Sequence, residues 1–499
     1  MINEIIVDSG SEETRIALME DKELVEIYIE NSRTQRLVGN IYRGKVCSVL
    51  PGMQAAFVDI GYEKNAFLYI EDAVPTSRYY SDEESSDYRS VKGFKINEIL
   101  KPGQEITVQV IKEPFGTKGP RVTTHITLPG RYLVLLPNAD YSGVSRRIEQ
   151  ETERNRLKKI ADNIKPEGFG LIVRTAAEGK EPEDFSKDID LLLKLWNSIK
   201  KKEKKGSVPR CIYKDLDLIR RTARDMFTRE IDKFIINDYE AYLDVLELVD
   251  IISSSLKQRV EFFCKDYDIF EYYNIESKID RALARKVWLK CGGYLVIDKT
   301  EALTVIDVNT GKYVGRNNLE DTVLRTNIEA AKEIAKQLRL RDIGGIIIID
   351  FIDMSKQEHQ SLILDTLKQA LRKDRTKTTV LGMTGLGLIE MTRKKVRQEL
   401  SSMLNIDCPY CEGTGKILSP EALTRNMEKE IGMYFSQTHA NAIRVRVHPS
   451  LAAALKSDDS DNLAKMERAY SKKIMIEACD EVKYGEIEIK EIDINSLVC

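Results

Sequence analysis

Residues 292–309 read GGYLVIDKTEALTVIDVN and residues 344–354 read GGIIIIDFIDM, and these two stretches decide the fold of the central part of the chain. The first reads as two strands joined by a short turn at Lys299-Thr300. The second is a continuous β-branched run of the kind required by a strand buried on both faces. Between them, Asn317 or Asn318 is placed to cap a helix running to about Arg341, with Leu319, Val323, Ala330, Ile334 and Leu338 at helical spacing. Strand, helix and strand form a right-handed crossover, so the strands run parallel and their carboxyl ends share one edge. Asp307 ends one strand and Asp350 the other, at the edge where open α/β sheets bind ligands. Asp307 and Asn309 are two apart and point to one face. Asp350 and Asp353 are three apart and cannot both do so in a regular strand, which makes Asp350 the preferred partner. Two neighbouring carboxylates repel, and a hard divalent cation, Mg²⁺ or Mn²⁺, is the usual remedy. With Asn309 to hold a phosphate oxygen or orient water, the pattern fits phosphodiester hydrolysis. Aspartate and asparagine also end strands simply because they make turns, and the residues leave both readings open.

Working outward, residues 1–34 alternate apolar and polar side chains as a half-buried sheet meander. From Gly39 the texture becomes short strands punctuated by glycine, with GQEITVQVIKEP following a polar loop at residues 76–92. Such a pattern reads as a small OB-type barrel that binds single-stranded nucleic acid. Phe57 and Phe67 could stack bases there, with Lys112 and Arg43 for phosphates, against the alternative that the phenylalanines are core. Residues 144–163 read as a charged helix, GFGLIVRTAAEGK as a strand ending at Arg174 and Thr175, and residues 182–290 as helical apart from a strand near 210–213.

The 499 residues exceed one core, so several domains are expected. The absence of an apolar span or secretion signal points to the cytoplasm. A net charge of -3 argues weakly against nucleic acid, yet residues 372–397 hold eight basic against two acidic side chains, so a basic surface can coexist with an acidic tail. Of eight cysteines only Cys408 and Cys411 form a tight pair, CPYCEGTGKI. The glycines that follow suit a metal knuckle better than the helix that a redox CxxC requires. A structural zinc needs four ligands and no second CxxC exists, so a second copy of the chain is the simplest completion. A redox role or an incidental pair are the alternatives.

Several stretches carry a resemblance to a known family: GNIYRGKV (39–46), AAFVDIG (55–61), GLIVRTA (170–176), IDVNTGK (306–312), the long run NLEDTVLRTNIEAAKEIAKQLRLRDIGGIIIIDFIDM (318–354) and CPYCEGTG (408–415). Together they resemble the ribonuclease E/G family of bacterial endoribonucleases over residues 35–418. The resemblance implies a single-strand-specific, Mg²⁺-dependent endonuclease that processes rRNA precursors and turns over mRNA. By motif, Asp307 and Asp350 would hold the Mg²⁺ (Mn²⁺ may substitute), with Asn309 assisting at the scissile phosphate. Arg174 and Thr175 would form the pocket for a 5′-monophosphate, with Lys377 near it. Phe57, Phe67 and Lys112 would hold RNA, and Cys408 and Cys411 would share Zn²⁺ between protomers of a homodimer, with a tetramer as the further option. Tyr410 stands where arginine is common, which leaves the ligands intact. The implied fold is multidomain α/β: a ribonuclease H-like subdomain from residues 1–35 and 220–281, an OB-type β-barrel at 36–119 inserted in it, a 5′-end sensor region at 120–219, a deoxyribonuclease-like α/β catalytic subdomain at 282–404, a zinc-link at 405–418 and a small α/β domain at 419–499. Ending at Cys499 without a long Pro-rich and Arg-rich tail, the chain is similar to the shorter, G-type branch.

Two other classes compete with the nuclease. A non-catalytic RNA-binding scaffold would bind RNA without Mg²⁺-dependent products. A thiol oxidoreductase would lose its activity in Cys408→Ser with no metal bound.

Overall fold

The computed structural model describes all residues except 1, 32–35, 75–94, 115–117, 146, 149, 312–318, 412, 458–459 and 493–499. The expected polar loop at 76–92 and the helix cap at Asn317 or Asn318 therefore lie outside the described residues. The chain divides into two compact units, Met1–Leu400 and Ser401–Cys499. Among the described residues no helix is long and apolar enough to cross a membrane.

The first sheet begins as the antiparallel meander β1 (Asn3–Ser9), β2 (Glu13–Glu20) and β3 (Glu23–Asn31). Its other side is built from far along the chain: β14 (Lys233–Ile236) pairs parallel with β1, and β15 (Val260–Phe262) with β14. These strands correct the helical reading of residues 182–290. KFII is four residues long and apolar on both faces, and so short a run has no period that separates strand from helix. Phe227 and Phe234 seal the layer beneath, with ring centroids 5.2 Å apart.

Strands β4 (Ile41–Leu50), β5 (Ala55–Asp59), β6 (Ala66–Tyr69), β8 (Arg121–Thr123) and β7 (Glu105–Lys112) close into a five-stranded barrel, because β7 pairs with both β8 and β4. Val46, Ala56, Val58, Ala66, Leu68, Val108 and Val122 fill it. Their alternation with outward polar and aromatic residues is the period-two pattern of a closed sheet. Strand β13 (Arg210–Tyr213) joins β4 on the outside.

A third sheet, of β9 (Leu128–Pro129), β10 (Leu133–Pro137), β11 (Ser142–Val144) and β12 (Phe169–Val173), runs β11-β12-β10-β9. The helices α1 (Glu151–Ile164) and α2 (Pro182–Glu203) pack on it, α2 through Phe185, Ile189, Leu192, Trp196 and Ile199. The charged helix thus starts later than its sequence indicated, since 142–144 pair with β12 instead.

The central sheet runs β16-β17-β18-β19-β21-β20: β16 (Lys286–Trp288), β17 (Tyr294–Lys299), β18 (Leu303–Asn309), β19 (Gly345–Asp350), β20 (Thr378–Met383) and β21 (Leu388–Arg393). Only β18 and β19 are parallel, joined by α3 (Leu319–Leu340). That helix and α4 (Gln357–Leu371) bury one sheet face through Ala330, Ile334, Leu338, Ile363 and Leu367. The opposite face stays open: Ile347 and Ile349 are buried, but Ile346 is 51% exposed. The β-branched run of β19 is therefore covered on one side, not both.

In the second unit β22 (Ala442–Val447) lies between β23 (Lys473–Ala478), parallel, and β24 (Ile487–Glu491), antiparallel, under the helix Pro420–Gln437.

Candidate active site

Parallel pairing of β18 with β19 puts Asp307 and Asp350 directly opposite each other, about 4.8 Å apart as strand spacing dictates. Both are exposed. Asn309 Nδ2 donates to Asp307 Oδ2 at 2.7 Å and fixes that carboxylate. The strand stops at Asp350, so the alternation that set Asp353 aside no longer applies there. Asp353 lines the same open cleft of about 290 Å³ as Asp307, Asn309, Thr310 and Asp350. Partial burial, then the charges of Asp307 and Asp353, push the Asp350 carboxyl above its ordinary range. Among the described residues no three His, Cys, Asp or Glu side chains converge on a metal-sized site. The donor set is two hard oxygen groups beside open solvent, which suits a cation that keeps much of its own water, as Mg²⁺ does.

Two supports hold this edge in place. Asn327 of α3, fully buried, donates through Nδ2 to the Ile352 carbonyl (2.8 Å) and accepts from the Ile352 N–H (3.2 Å), which clamps the turn between Asp350 and Asp353. Gly311 turns the chain away after Asn309 at φ 57°, and a Cβ there would lie 2.5 Å from the Gly292 carbonyl. The sequence reading did not single out Asn327. Its signal was an asparagine on the apolar side of α3, three residues before Ala330.

On the barrel, Phe57 and Phe67 stand opposite each other on β5 and β6, both half-buried and facing outward, with ring centroids 5.9 Å apart at 71°. The row continues to Arg121 on β8 and Lys112 on β7. Arg121, missed in the sequence, bonds Asp72 through Nε (2.9 Å) and Nη2 (2.6 Å). Arg43 is outside this row: its guanidinium meets Thr107, Glu105 and Glu203, so it is not the free phosphate group its position had promised.

Arg174 ends β12, with Nη1 donating to the Gly130 carbonyl and to Asp225 Oδ1 at 2.7 Å, while Thr175 is exposed beside it. The loop at 130–133 is moulded around buried Asp188, whose carboxylate accepts the N–H groups of Arg131 (3.1 Å), Tyr132 (2.9 Å) and Leu133 (2.9 Å). Gly130 is required there because a Cβ would lie 2.6 Å from that carboxylate. Burial, with Arg229 and Arg131 nearby, pulls the Lys180 ammonium below its usual value. Adjacency in sequence did not reveal this crowding of cations. Lys377 is exposed, just before β20, and no hydrogen bond or ion pair among the described residues joins it to Arg174 or Thr175.

Cys408 and Cys411 lie in a turn rather than at a helix start. The N–H groups of Tyr410 and Cys411 hold the exposed Cys408 thiol below its ordinary value. The Gly415 N–H reaches Cys411 Sγ at 3.4 Å. Backbone donors around the Cys408 sulfur favour its thiolate, the form that binds metal.

A family model described as "Ribonuclease E/G family" matches residues 127–396. A second, "RNase E/G, Thioredoxin-like domain", matches residues 407–492, spanning the cysteine pair and the three-stranded sheet. Ribonuclease G of Escherichia coli (strain K12) is 42% identical over 477 residues, 96% of this chain and 97% of that protein. Ribonuclease G of Haemophilus influenzae is 42% identical over 460 residues, 92% of this chain and 93% of that one. Ribonuclease E of Buchnera aphidicola is 40% identical over 424 residues, covering 84% of this chain but 43% of that longer protein. Likeness over nearly the whole length, together with paired carboxylates at a sheet edge and a closed barrel, establishes that the chain belongs to the ribonuclease E/G family and is an endoribonuclease.

Proposed function

We propose that this endoribonuclease is Mg²⁺-dependent, cuts single-stranded RNA, prefers 5′-monophosphorylated ends and serves rRNA processing and mRNA decay in the cytoplasm. The observation that carries the reading is the register that pairs Asp307 with Asp350. Mg²⁺ held by these two carboxylates would supply an activated water and neutralise charge on the phosphate. Asn309 orients Asp307 and keeps an amide N–H and its carbonyl for the phosphate or the attacking water. Phe57 and Phe67 form a stacking surface for the RNA strand with Lys112 for its phosphates, beside Arg121, which Asp72 holds. Arg174, fixed by Gly130 and Asp225, and Thr175 receive the 5′-phosphate, with Lys180 and Arg131 adding positive potential. Lys377 completes this binding set on the resemblance alone.

Within the same reading, β1–β3 with β14 and β15 form the ribonuclease H-like subdomain, and the central sheet with α3 and α4 the deoxyribonuclease-like one. Cys408 and Cys411 supply half of a four-thiolate Zn²⁺ site completed by a second copy, which gives a homodimer. The test is one unstructured RNA carrying either a 5′-monophosphate or a 5′-triphosphate, with Mg²⁺ or with chelator. Faster cleavage of the monophosphate form, only with the metal, is expected. Equal rates at both ends remove the 5′-sensor, and cleavage in chelator removes the metal. Zinc analysis checks the link, at about half an ion per chain for a shared site.

A further inference from the structure

The open face of the central sheet carries more than the two carboxylates. Lys286, Val296, Asp307 and Asp350 form one cross-strand row over β16, β17, β18 and β19. Two residues along, and so on the same face, Trp288, Tyr294 and Asn309 form the next. Strand spacing puts Tyr294 about 5 Å and Trp288 about 10 Å from Asn309. Trp288 is 59% exposed. Its ring meets Tyr294 edge-on, with centroids 5.4 Å apart. Lys286 Nζ lies 4.2 Å from the centre of one ring and 3.5 Å from the other. The turn after β16 is anchored by Glu329 of α3, which accepts the N–H groups of Lys290 and Cys291. The aromatic pair is thus held in register with the carboxylates, with Trp288 open to solvent and Tyr294 half-buried beside it. A tryptophan so exposed contributes little to the core.

We propose that Trp288 and Tyr294, with Lys286, are a base-stacking platform that holds the RNA base beside the scissile phosphate. The proposal rests on reading Asp307 and Asp350 as the cleavage site. An aromatic face accepts any base, and stacking with a cation for the adjoining phosphate is how proteins grip single strands without reading sequence. Lys286 supplies that cation in the same row as the carboxylates, and an incoming phosphate can draw its ammonium off the rings. The platform would position the strand across the cut, whereas the phenylalanines of the barrel grip it on a separate surface.

The chain has two tryptophans, and Trp196 is 6% exposed against 59% for Trp288, so quenching by a stacked base falls chiefly on Trp288. The full chain is titrated, as Asp307→Asn to prevent turnover, with a short unstructured 5′-monophosphorylated RNA. Quenching is expected, and Trp288→Phe added to that variant should abolish it. In the cleaving enzyme, Trp288→Ala should lower kcat/KM roughly tenfold, with Trp288→Phe restoring most of it. A series of RNAs lacking one base each should show one position next to the cut whose loss costs the parent enzyme the same factor and Trp288→Ala nothing. Quenching that survives Trp288→Phe, or an abasic penalty unchanged in Trp288→Ala, overturns the platform. So does a Trp288→Ala variant that sediments as a smaller assembly with its abasic penalty intact, since the face would then belong to a second copy of the chain. Cleavage that survives Asp307→Asn overturns the underlying reading and the platform's place beside the cut with it. The quenching arm needs no turnover and tells the two failures apart.

Discussion

The two ends of the central sheet treat charge in opposite ways. At the carboxyl edge of β18 and β19, Asp307 faces Asp350 in register, both exposed, with Asp353 close enough to add to the repulsion. At the other end of the same strands, Arg393 of β21 stands opposite Gly345 with its side chain 2% exposed. It bonds Asp342 at 2.6 Å and Asp374 at 2.7 Å, whose side chains are 7% and 3% exposed. Arg397 adds a second contact to Asp342 at 2.8 Å. One end is a buried, mutually neutralised cluster, and the other is a like-charged pair with no counter-ion among the described residues. That contrast is what the cation and phosphate proposed for the carboxyl edge would answer.

The sharpest break in this contrast is Asp307→Asn, which should lower kcat by about 10³-fold or more, the several kcal/mol expected of lost metal-assisted chemistry. RNA affinity by fluorescence anisotropy should change by less than about threefold. Comparable cleavage by the variant would make that edge an ordinary strand end. At the opposite end, Arg393→Met leaves two buried carboxylates short of their partner and should cost about 3–5 kcal/mol in urea unfolding. A loss under about 1 kcal/mol would show that cluster to be dispensable. Asn309→Ala frees the Asp307 carboxylate to rotate, and single-turnover cleavage should slow about 10- to 100-fold with the unfolding midpoint unmoved. The smallest effect has the opposite sign. Asp350→Asn, measured in chelator, should raise stability by about 0.5 kcal/mol at pH 7, a modest value because the group is mostly solvated. Partial burial, then neighbouring charge, raises the folded Asp350 pKa, so the folded state holds that proton more tightly than the unfolded chain does. The penalty is complete above the raised pKa and vanishes as pH falls towards the ordinary aspartate value, so the variant's advantage should fade over that window. A variant that is less stable at pH 7 would mean that Asp350 makes a favourable contact.

The hairpin and crossover were legible because period-two alternation, a β-branched run and a long apolar helical stripe each act within a few residues. That Asp307 and Asp350 share one sheet edge followed from the parallel crossover, whereas the register that sets them opposite each other is a finding of the structure. What stayed hidden depended on distant partners. Nothing local in GGIIIID says which sheet face helices will cover, so the exposure of Ile346 and the open face beside it were invisible. KVW and KFII are too short to show a period, which concealed β16, β14 and the setting of Trp288. Asp353 was set aside by a rule valid inside a strand, and the strand ends three residues earlier. Arg121, Lys180 and Arg131 become neighbours of the expected binding residues only through pairing and packing across the fold.

The side-by-side placement of β1 and β14 has a consequence for how the protein is made. Asn237 donates to Asp8 and accepts from the Ser9 N–H, joining residues 229 and 228 positions apart. At ribosomal speeds of about 5–20 residues per second, the amino-terminal ribbon waits roughly 10–45 s for its neighbour to be synthesised. Over that interval the edge of β1 is an unsatisfied template, and the barrel must close on its own while the ribbon is held open. The nascent chain is most exposed to mispairing there, and a stall before Lys233 would leave the ribbon as the segment that chaperones must shield.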